Sequence, residues 1–213
     1  MSYAVKEIYG TLQGEGAQVG CAAIFLRFSG CNLWSGIEAD RASAVCQFCD
    51  TAFVGMDGEG GGRFADADAL AQAVRRKWER VHGDRGAPFV VCTGGEPLLQ
   101  LDAALLAALH GEGFRVAVET NGTQVPPAGI DWLCVSPKAG AALRATRGDE
   151  LKLVYPQAAA APEAFEGLDF QHFFLQPLDG PAKARHTAEA LDYCLRHPQW
   201  RLSLQAHKLL GLP

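Results

Sequence analysis

Three of the seven cysteines are spaced for metal chemistry. Cys46 and Cys49 form a Cys-x-x-Cys, and Cys31 precedes them by fourteen intervening residues. Deprotonated cysteines hold iron-sulfur clusters, and a cubane requires four iron ligands. Three clustered thiolates therefore leave one iron with an open coordination position, which a reactive metal site needs. The same trio completed by Cys21 or a histidine would instead make a structural zinc site, and spacing alone leaves that alternative open. The intervening segment, Asn32 to Val45, contains Gly36 and ordinary polar residues, so it can loop out while the ligands meet. The closure cost of such a loop rises only slowly with its length. Cys21, Cys92 and Cys134 lie in or beside apolar runs and Cys194 in a helical pattern, and these four read as buried core thiols.

Other residues are suited to holding a ligand. Gly94-Gly95-Glu96 offers a backbone with little side-chain bulk, where an ammonium can approach carbonyls and the Glu96 carboxylate. It reads equally as a tight turn with Pro97 starting a helix. Arg27 shares a strand face with Ala23 and Phe25. If that face is interior, an unpaired guanidinium is expensive to bury, and a carboxylate ligand would satisfy it bidentately. An exposed or internally paired arginine is the alternative. Glu119-Thr120-Asn121-Gly122 is either a strand entering an Asn-Gly turn or a set of hydrogen-bonding groups facing a ligand.

The elements that must position these residues follow from the apolar pattern. Strand-length runs are predicted at 22–28, 88–92, 114–118, 131–135, 151–155, 171–175 and 200–204. Helical patterns fall between several of them, at 66–82 with Leu70, Val74, Trp78 and Val81 on one face, at 101–110 and at 182–197. Alternation of strand and helix implies a largely parallel sheet. Some crossovers, such as Gly122 to Gly129 with its Pro126-Pro127 pair, are too short for a full helix. The expected fold class is therefore α/β, a partial, reduced TIM-like barrel with about six mainly parallel strands and few helices. Cys31, Gly95, Asn121, Ser136 and Gln176 all fall just after predicted strands, and in α/β barrels that end of the sheet binds ligands.

Composition narrows the function classes. At 213 residues, 48% of them apolar, one well-filled core is expected. Nineteen basic against 24 acidic residues, with no basic cluster, exclude the field that nucleic acid recruits. Residues 1–10 alternate polar and apolar side chains and lack an export-signal pattern. The longest apolar run near them, Cys21 to Leu26, is too short for a bilayer. A soluble cytoplasmic protein without a membrane partner is the expectation, and the odd cysteine count points to metal or redox use over a disulfide framework.

Thr11-Leu12-Gln13-Gly14-Glu15-Gly16, Arg27-Phe28-Ser29-Gly30-Cys31-Asn32-Leu33, Cys49-Asp50-Thr51 and Gly94-Gly95-Glu96-Pro97 together resemble the 7-carboxy-7-deazaguanine synthases of the radical S-adenosylmethionine superfamily. Glu119-Thr120-Asn121-Gly122, Ser136-Pro137-Lys138 and Ser203-Leu204-Gln205-Ala206-His207-Lys208 extend the resemblance over nearly the whole chain. The usual superfamily spacing is three residues and then two. Here the second gap fits and the first is fourteen, a departure expected to remodel the loop over the cluster without replacing a ligand.

The resemblance implies one radical S-adenosylmethionine domain over 1–213 with a cluster loop at 29–54, and the glycine-rich stretch at 55–63 reads from its composition as a flexible loop. The resemblance also implies conversion of 6-carboxy-5,6,7,8-tetrahydropterin to 7-carboxy-7-deazaguanine with loss of ammonia, a lyase reaction on the route to queuosine. Its cofactors would be a [4Fe-4S] cluster on Cys31, Cys46 and Cys49, S-adenosylmethionine, and Mg2+ at Thr51, since Mg2+ takes few protein ligands. S-adenosylmethionine would meet Phe48, Cys49, Asp50, Gly95, Glu96, Ser136, Pro137, Lys138, Gln176, Pro177, Leu178 and Asp179. The pterin would meet Leu12, Gln13, Gly14, Glu15, Arg27, Thr93, Asn121 and the terminal Pro213. A homodimer and an external electron donor such as a flavodoxin or ferredoxin are implied, and no general base is assigned. A glycyl-radical-enzyme activase shares the cysteine logic, and a non-catalytic zinc-binding module shares the ligands; both remain open at this point.

Overall fold

The computed structural model describes residues 2–83 and 85–213. Among these described residues nine strands form one sheet in the order β3-β1-β2-β4-β5-β6-β7-β8-β9. Seven of them, β2 (Ala22–Phe28), β4 (Phe89–Gly94), β5 (Arg115–Thr120), β6 (Trp132–Val135), β7 (Arg147–Tyr155), β8 (Asp169–Pro177) and β9 (Trp200–Leu202), run parallel to one another. All seven therefore deliver their C-terminal ends to one rim. This is the expected partial barrel, with two antiparallel strands added beside β2: β1 (Tyr3–Leu12), and β3 (Gly62–Phe64) on its outer edge.

β1 escapes a simple alternation reading because its register shifts between Val5 and Glu7. Such a bulge moves the inward positions by one residue. Val5 and Ile8 are consequently both buried, while Glu7, Tyr9 and Arg27 of β2 come together.

Helix α1 (Ala67–His82) packs Leu70, Val74 and Trp78 against β1 and β2, and Asp66 caps it by accepting from the Ala69 N–H at 2.8 Å. Ala or Gly at a cap of this kind typically costs about 1 kcal/mol. Helix α2 (Ala103–Gly111) begins two residues later than its apolar pattern because Asp102 caps it, accepting from Leu105 N–H and also from the Tyr3 hydroxyl. Helix α3 (Lys183–Arg196) covers β8 and β9, and α4 (Ala206–Leu210) is a single short turn near the C-terminus. Among the described residues no helix is long and apolar enough to cross a membrane.

Among the described residues no strand pairing closes the sheet, whose edges are β3 and β9. Its mouth is crossed instead by residues 13–18, where Gly14 O accepts from Ala206 N–H at 2.8 Å, Gly16 N–H donates to Ser203 Oγ at 2.9 Å and Ala17 N–H donates to Glu150 Oε2 at 2.9 Å. Gly16 has φ +63°, which strains any other residue, and a Cβ there would lie 1.9 Å from Glu150 Oε1 and push that carboxylate off Ala17 N–H.

Candidate active site

At the rim formed by the strand ends, two chambers of similar size, about 200 and 180 Å³, lie side by side. Glu15, Thr51 and Glu119 line both. The first chamber gathers Cys31, Cys46, Phe48, Cys49, Asp50, Gly95, Ser136, Lys138 and Gln176 through Asp179. The second gathers Leu12, Gln13, Gly14, Arg27, Thr93 and Pro213. Residues scattered over the whole sequence thus meet in two adjoining spaces. Asn121 lines the first chamber, with its amide donating to Asn32 and accepting from Thr123.

Cys31 leaves the end of β2 through Gly30, whose φ of +95° turns the chain over the rim. Opposite it, Gly94 and Gly95 close β4 at very short range. A Cβ on Gly95 would lie 2.2 Å from Gly30 O and 2.7 Å from Cys31 Cβ, and Glu96 N–H donates to Gly30 O at 3.0 Å. Burial pushes the Cys31 and Cys46 thiols up, and Lys138 pulls Cys46 only partly back. Buried thiolates in this position need a cation among them. Three sulfur donors on a shared chamber fit a cluster, whose binding would release those protons.

Glu96 stands behind the chamber wall. It is fully buried, accepts from the Thr120 hydroxyl and the Asn121 N–H at 2.7 Å each, and accepts from Leu98 N–H at 3.0 Å. Its carboxyl is raised by burial, with those donors opposing. It fastens the end of β4 to the end of β5. Pro137 likewise does not line either chamber, whereas Lys138 does, anchored by donating to Ser136 O at 2.6 Å and Ser136 Oγ at 2.7 Å.

Arg27 combines two of the readings open from its sequence. It lines the second chamber, yet its Nε donates to Glu7 Oε1 and its Nη2 to the Tyr9 hydroxyl, both at 2.7 Å. A guanidinium carries five N–H donors, so this pairing orients it and leaves others for a ligand. Thr93 lies beside it in the parallel register of β2 and β4.

Lys152, on the inward face of β7, sits at the junction of the chambers and is absent from the sequence-derived site. Its side chain is 4% exposed, and the ammonium lies 2.7 Å from Glu15 Oε2 and 2.9 Å from Glu119 Oε2. Glu15 also accepts from Gln176 and Gln205 at 3.1 Å each, and Glu119 from Gln13 at 3.1 Å. Burial pushes the Glu15 carboxyl up, but Lys152, Gln205 and His207 hold it below the usual range. Glu119 is raised by burial, with Glu150 and Glu15 adding to the shift against the pull of Lys152. Glu119, Cys134 and Glu150 bring ligand atoms within 4.8 Å of one another, as a metal site would, but the neighbouring Lys152 ammonium is the cation that answers them. The available sequence signal was a lysine alternating with apolar residues in Leu151-Lys152-Leu153.

The C-terminal segment straps the site. Lys208 of α4 bridges Asp50 in the cysteine loop and Asp179 after β8, the latter at 2.6 Å. Lys208 and Lys183 hold the Asp179 carboxyl down at about 2. His207 packs on Gly14, where a Cβ would lie 2.3 Å from its ring. The Thr11 hydroxyl donates to Pro213 O at 3.3 Å. The four other cysteines divide. Cys92 and Cys134 are buried as expected, Cys194 is half-buried, and Cys21 is exposed because it opens the return from the 13–18 crossing and not the core of β2.

No family model matches the chain. Curated relatives do. The 7-carboxy-7-deazaguanine synthase of Bordetella pertussis is 65% identical over 213 residues, covering all of both chains. Those of Caulobacter vibrioides and Bacteroides thetaiotaomicron are 64% identical over all of both chains and 41% identical over 98% of this chain and 97% of theirs. The crystal structure of QueE from Escherichia coli superposes with a TM-score of 0.74 at 27% identity, covering 97% of this chain and 95% of that one. With full-length relatives at such identity, and with the fold shared, the chain belongs to the 7-carboxy-7-deazaguanine synthase family.

Proposed function

We propose that this chain converts 6-carboxy-5,6,7,8-tetrahydropterin to 7-carboxy-7-deazaguanine with loss of ammonia, as a radical S-adenosylmethionine lyase in queuosine biosynthesis. The observation that carries this reading is the adjacency of the two chambers, with three cysteines on one, Arg27 on the other and Glu15, Thr51 and Glu119 as their common wall. The chain acts as one domain over 1–213, with its cluster loop at 29–54 and, after it, the glycine-rich loop expected at 55–63, whose last two residues belong to β3.

Cys31, Cys46 and Cys49 hold the [4Fe-4S] cluster, and Gly95, Ser136, Lys138 and the Gln176 to Asp179 turn hold S-adenosylmethionine. When bound, the pair supplies reductive carbon-sulfur cleavage and the hydrogen abstraction that starts ring contraction. The remaining residues bind and orient. Arg27, fixed by Glu7 and Tyr9, meets the substrate carboxylate. Glu15, kept ionised by Lys152, reads the donor edge of the pterin. Leu12, Gln13 and Gly14 present polar backbone and one amide to the same ring, and Thr51 offers its hydroxyl to Mg2+. Holding both reactants against a common wall supplies the proximity such a step requires. The reading includes a homodimer, a cytoplasmic setting and an external donor such as a flavodoxin or ferredoxin.

Anaerobic turnover of the carboxylated tetrahydropterin by the reconstituted protein, with a strong reductant, tests the reading. Deazapurine and ammonia in equal amounts are expected, and neither forming would sink it. Arg27→Ala is expected to raise KM by about 10- to 100-fold, the worth of a charge-assisted hydrogen bond, with iron content unchanged. Loss of iron in that variant would make Arg27 a structural residue of the cluster region.

A further inference from the structure

We propose that the fourteen-residue segment between Cys31 and Cys46 places Arg41 against the Cys46–Cys49 loop, where its guanidinium fixes the loop backbone and sets a permanent positive charge beside two cluster ligands. The inference rests on the cluster assignment above. Residues 46–53 form neither helix nor strand, so no ladder holds their carbonyls, and fixing the loop takes side-chain donors.

Arg41 supplies them. It lies on the 3-10 turn Glu38–Ser43, and its Nη1 donates to Gln47 O at 3.0 Å and Cys49 O at 3.1 Å. Its Nε donates to both oxygens of Glu38 at 2.8 and 2.9 Å, and its flat face lies 4.0 Å over the Trp34 ring. Trp34 is itself fixed, by donating to Ile37 O at 3.2 Å and by an edge-on contact with Phe53 at 5.6 Å. Phe53 O accepts from Gly30 N–H at 3.3 Å, which returns the chain of contacts to the residue before Cys31. Val45 and Cys46 N–H groups both donate to Leu33 O, closing the excursion beside Cys31, and Gln47 Nε2 donates to Ala42 O at 3.0 Å. The segment is thus a folded bracket joining all three cysteines, and Arg41 is its keystone.

The chemistry demands arginine. One planar group must donate along two edges and stack on an indole together, which an ammonium cannot do. The Glu38 carboxylate lies on the solvent side, 76% exposed, while Nη1 faces the cysteine loop. A cluster's reduction potential responds to nearby charge and hydrogen bonding, and a fixed cation favours the reduced form.

The test uses the full chain, reconstituted anaerobically, as wild type, Arg41→Gln and Arg41→Lys. Iron release to EDTA and the midpoint potential, followed by electron paramagnetic resonance, are read for each. Arg41→Gln is expected to release iron about tenfold faster, the effect of losing charge-assisted hydrogen bonds, and to shift the potential to more negative values. Arg41→Lys is expected to release iron as fast as the Gln variant while keeping the wild-type potential, because it keeps the charge and loses the fork. Wild-type behaviour of Arg41→Gln in both readouts overturns the inference, as does restoration of slow release by Lys. Should the Gln variant fail to fold, the Lys variant carries the test by its release rate. A wild-type protein that assembles no cluster overturns the cluster assignment itself, a distinct result from wild-type behaviour of the variants.

Discussion

Lys152→Met is expected to lower the melting temperature by roughly 6 to 20 °C and to remove most of the turnover. The ammonium is nearly inaccessible and bridges Glu15 and Glu119, with Glu150 and Cys134 also facing it. Removing one partner of a buried ionic group costs about 3 to 5 kcal/mol because the charges left behind are uncompensated. In a protein of this size each kcal/mol moves the melting temperature by about 2 to 4 °C. The pH dependence supplies a sharper signature. In the wild type the Glu15 carboxyl is depressed, so its contribution is present above the ordinary carboxylate range and is lost as pH falls. Without Lys152 both carboxyls are raised by burial, the folded state binds protons more tightly than the unfolded one, and stability is gained as pH falls. The deficit of Lys152→Met against wild type should therefore shrink between pH 8 and pH 5.5. Adding Glu119→Gln should recover part of the loss, as neighbours in one network do. Thermal unfolding of the three proteins at both pH values decides it. A pH-independent deficit, with no recovery in the double variant, would mean that Lys152 acts by packing alone.

Much of this site was legible in the sequence because a parallel sheet does the assembling. Once Cys31, Gly95, Ser136 and Gln176 are placed at or just beyond the C-terminal ends of parallel strands, they must share a rim whatever the connections between them. The helices were legible for a similar reason. Leu70, Val74 and Trp78 repeat with helical spacing and Asp66 stands where a cap belongs. What escaped was non-local or short. The pairing of Glu7 and Tyr9 with Arg27 depends on the antiparallel register of β1 and β2 and on a bulge that displaces it. β3, with three residues, and α4, with five, are too short to carry a period. β7 begins four residues before its apolar run because Arg147, Asp149 and Glu150 are charged and Gly148 has no side chain, and Glu150 and Lys152 point into a barrel whose interior is lined by charges. Polar side chains in a strand ordinarily signal solvent, which hides an inward-facing lysine from a reading based on periodicity.

Gly95→Ala, one added methyl group, is expected to cost the cluster while leaving the fold. The Cβ would lie 2.2 Å from Gly30 O, 2.6 Å from Gly30 C and 2.7 Å from Cys31 Cβ. None of these atoms is the free end of a flexible side chain. Gly30 O is held by Glu96 N–H at 3.0 Å and Gly30 N–H donates to Phe53 O, so β4 and the Cys31 turn must separate as a unit. Overpacking of this kind costs about 1 to 3 kcal/mol, a few degrees of melting temperature. The consequence for the site is larger, because the displaced residue is the proposed cluster ligand Cys31 and the displacing one lines the first chamber. Misplacement by about 1 Å near reacting groups can cost about 100-fold in rate. Iron per chain should fall well below that of the wild type and turnover by at least about 100-fold, with the far-ultraviolet spectrum unchanged. Gly111→Ala is the matched control. Its added Cβ meets nothing within 4 Å and its φ lies outside the left-handed region, so it should keep full iron content and wild-type melting within about 1 kcal/mol. Full iron content and turnover in Gly95→Ala would show that the β4 end and the Cys31 turn move apart freely, and the close approach of Gly95 would then have no part in holding the three cysteines together.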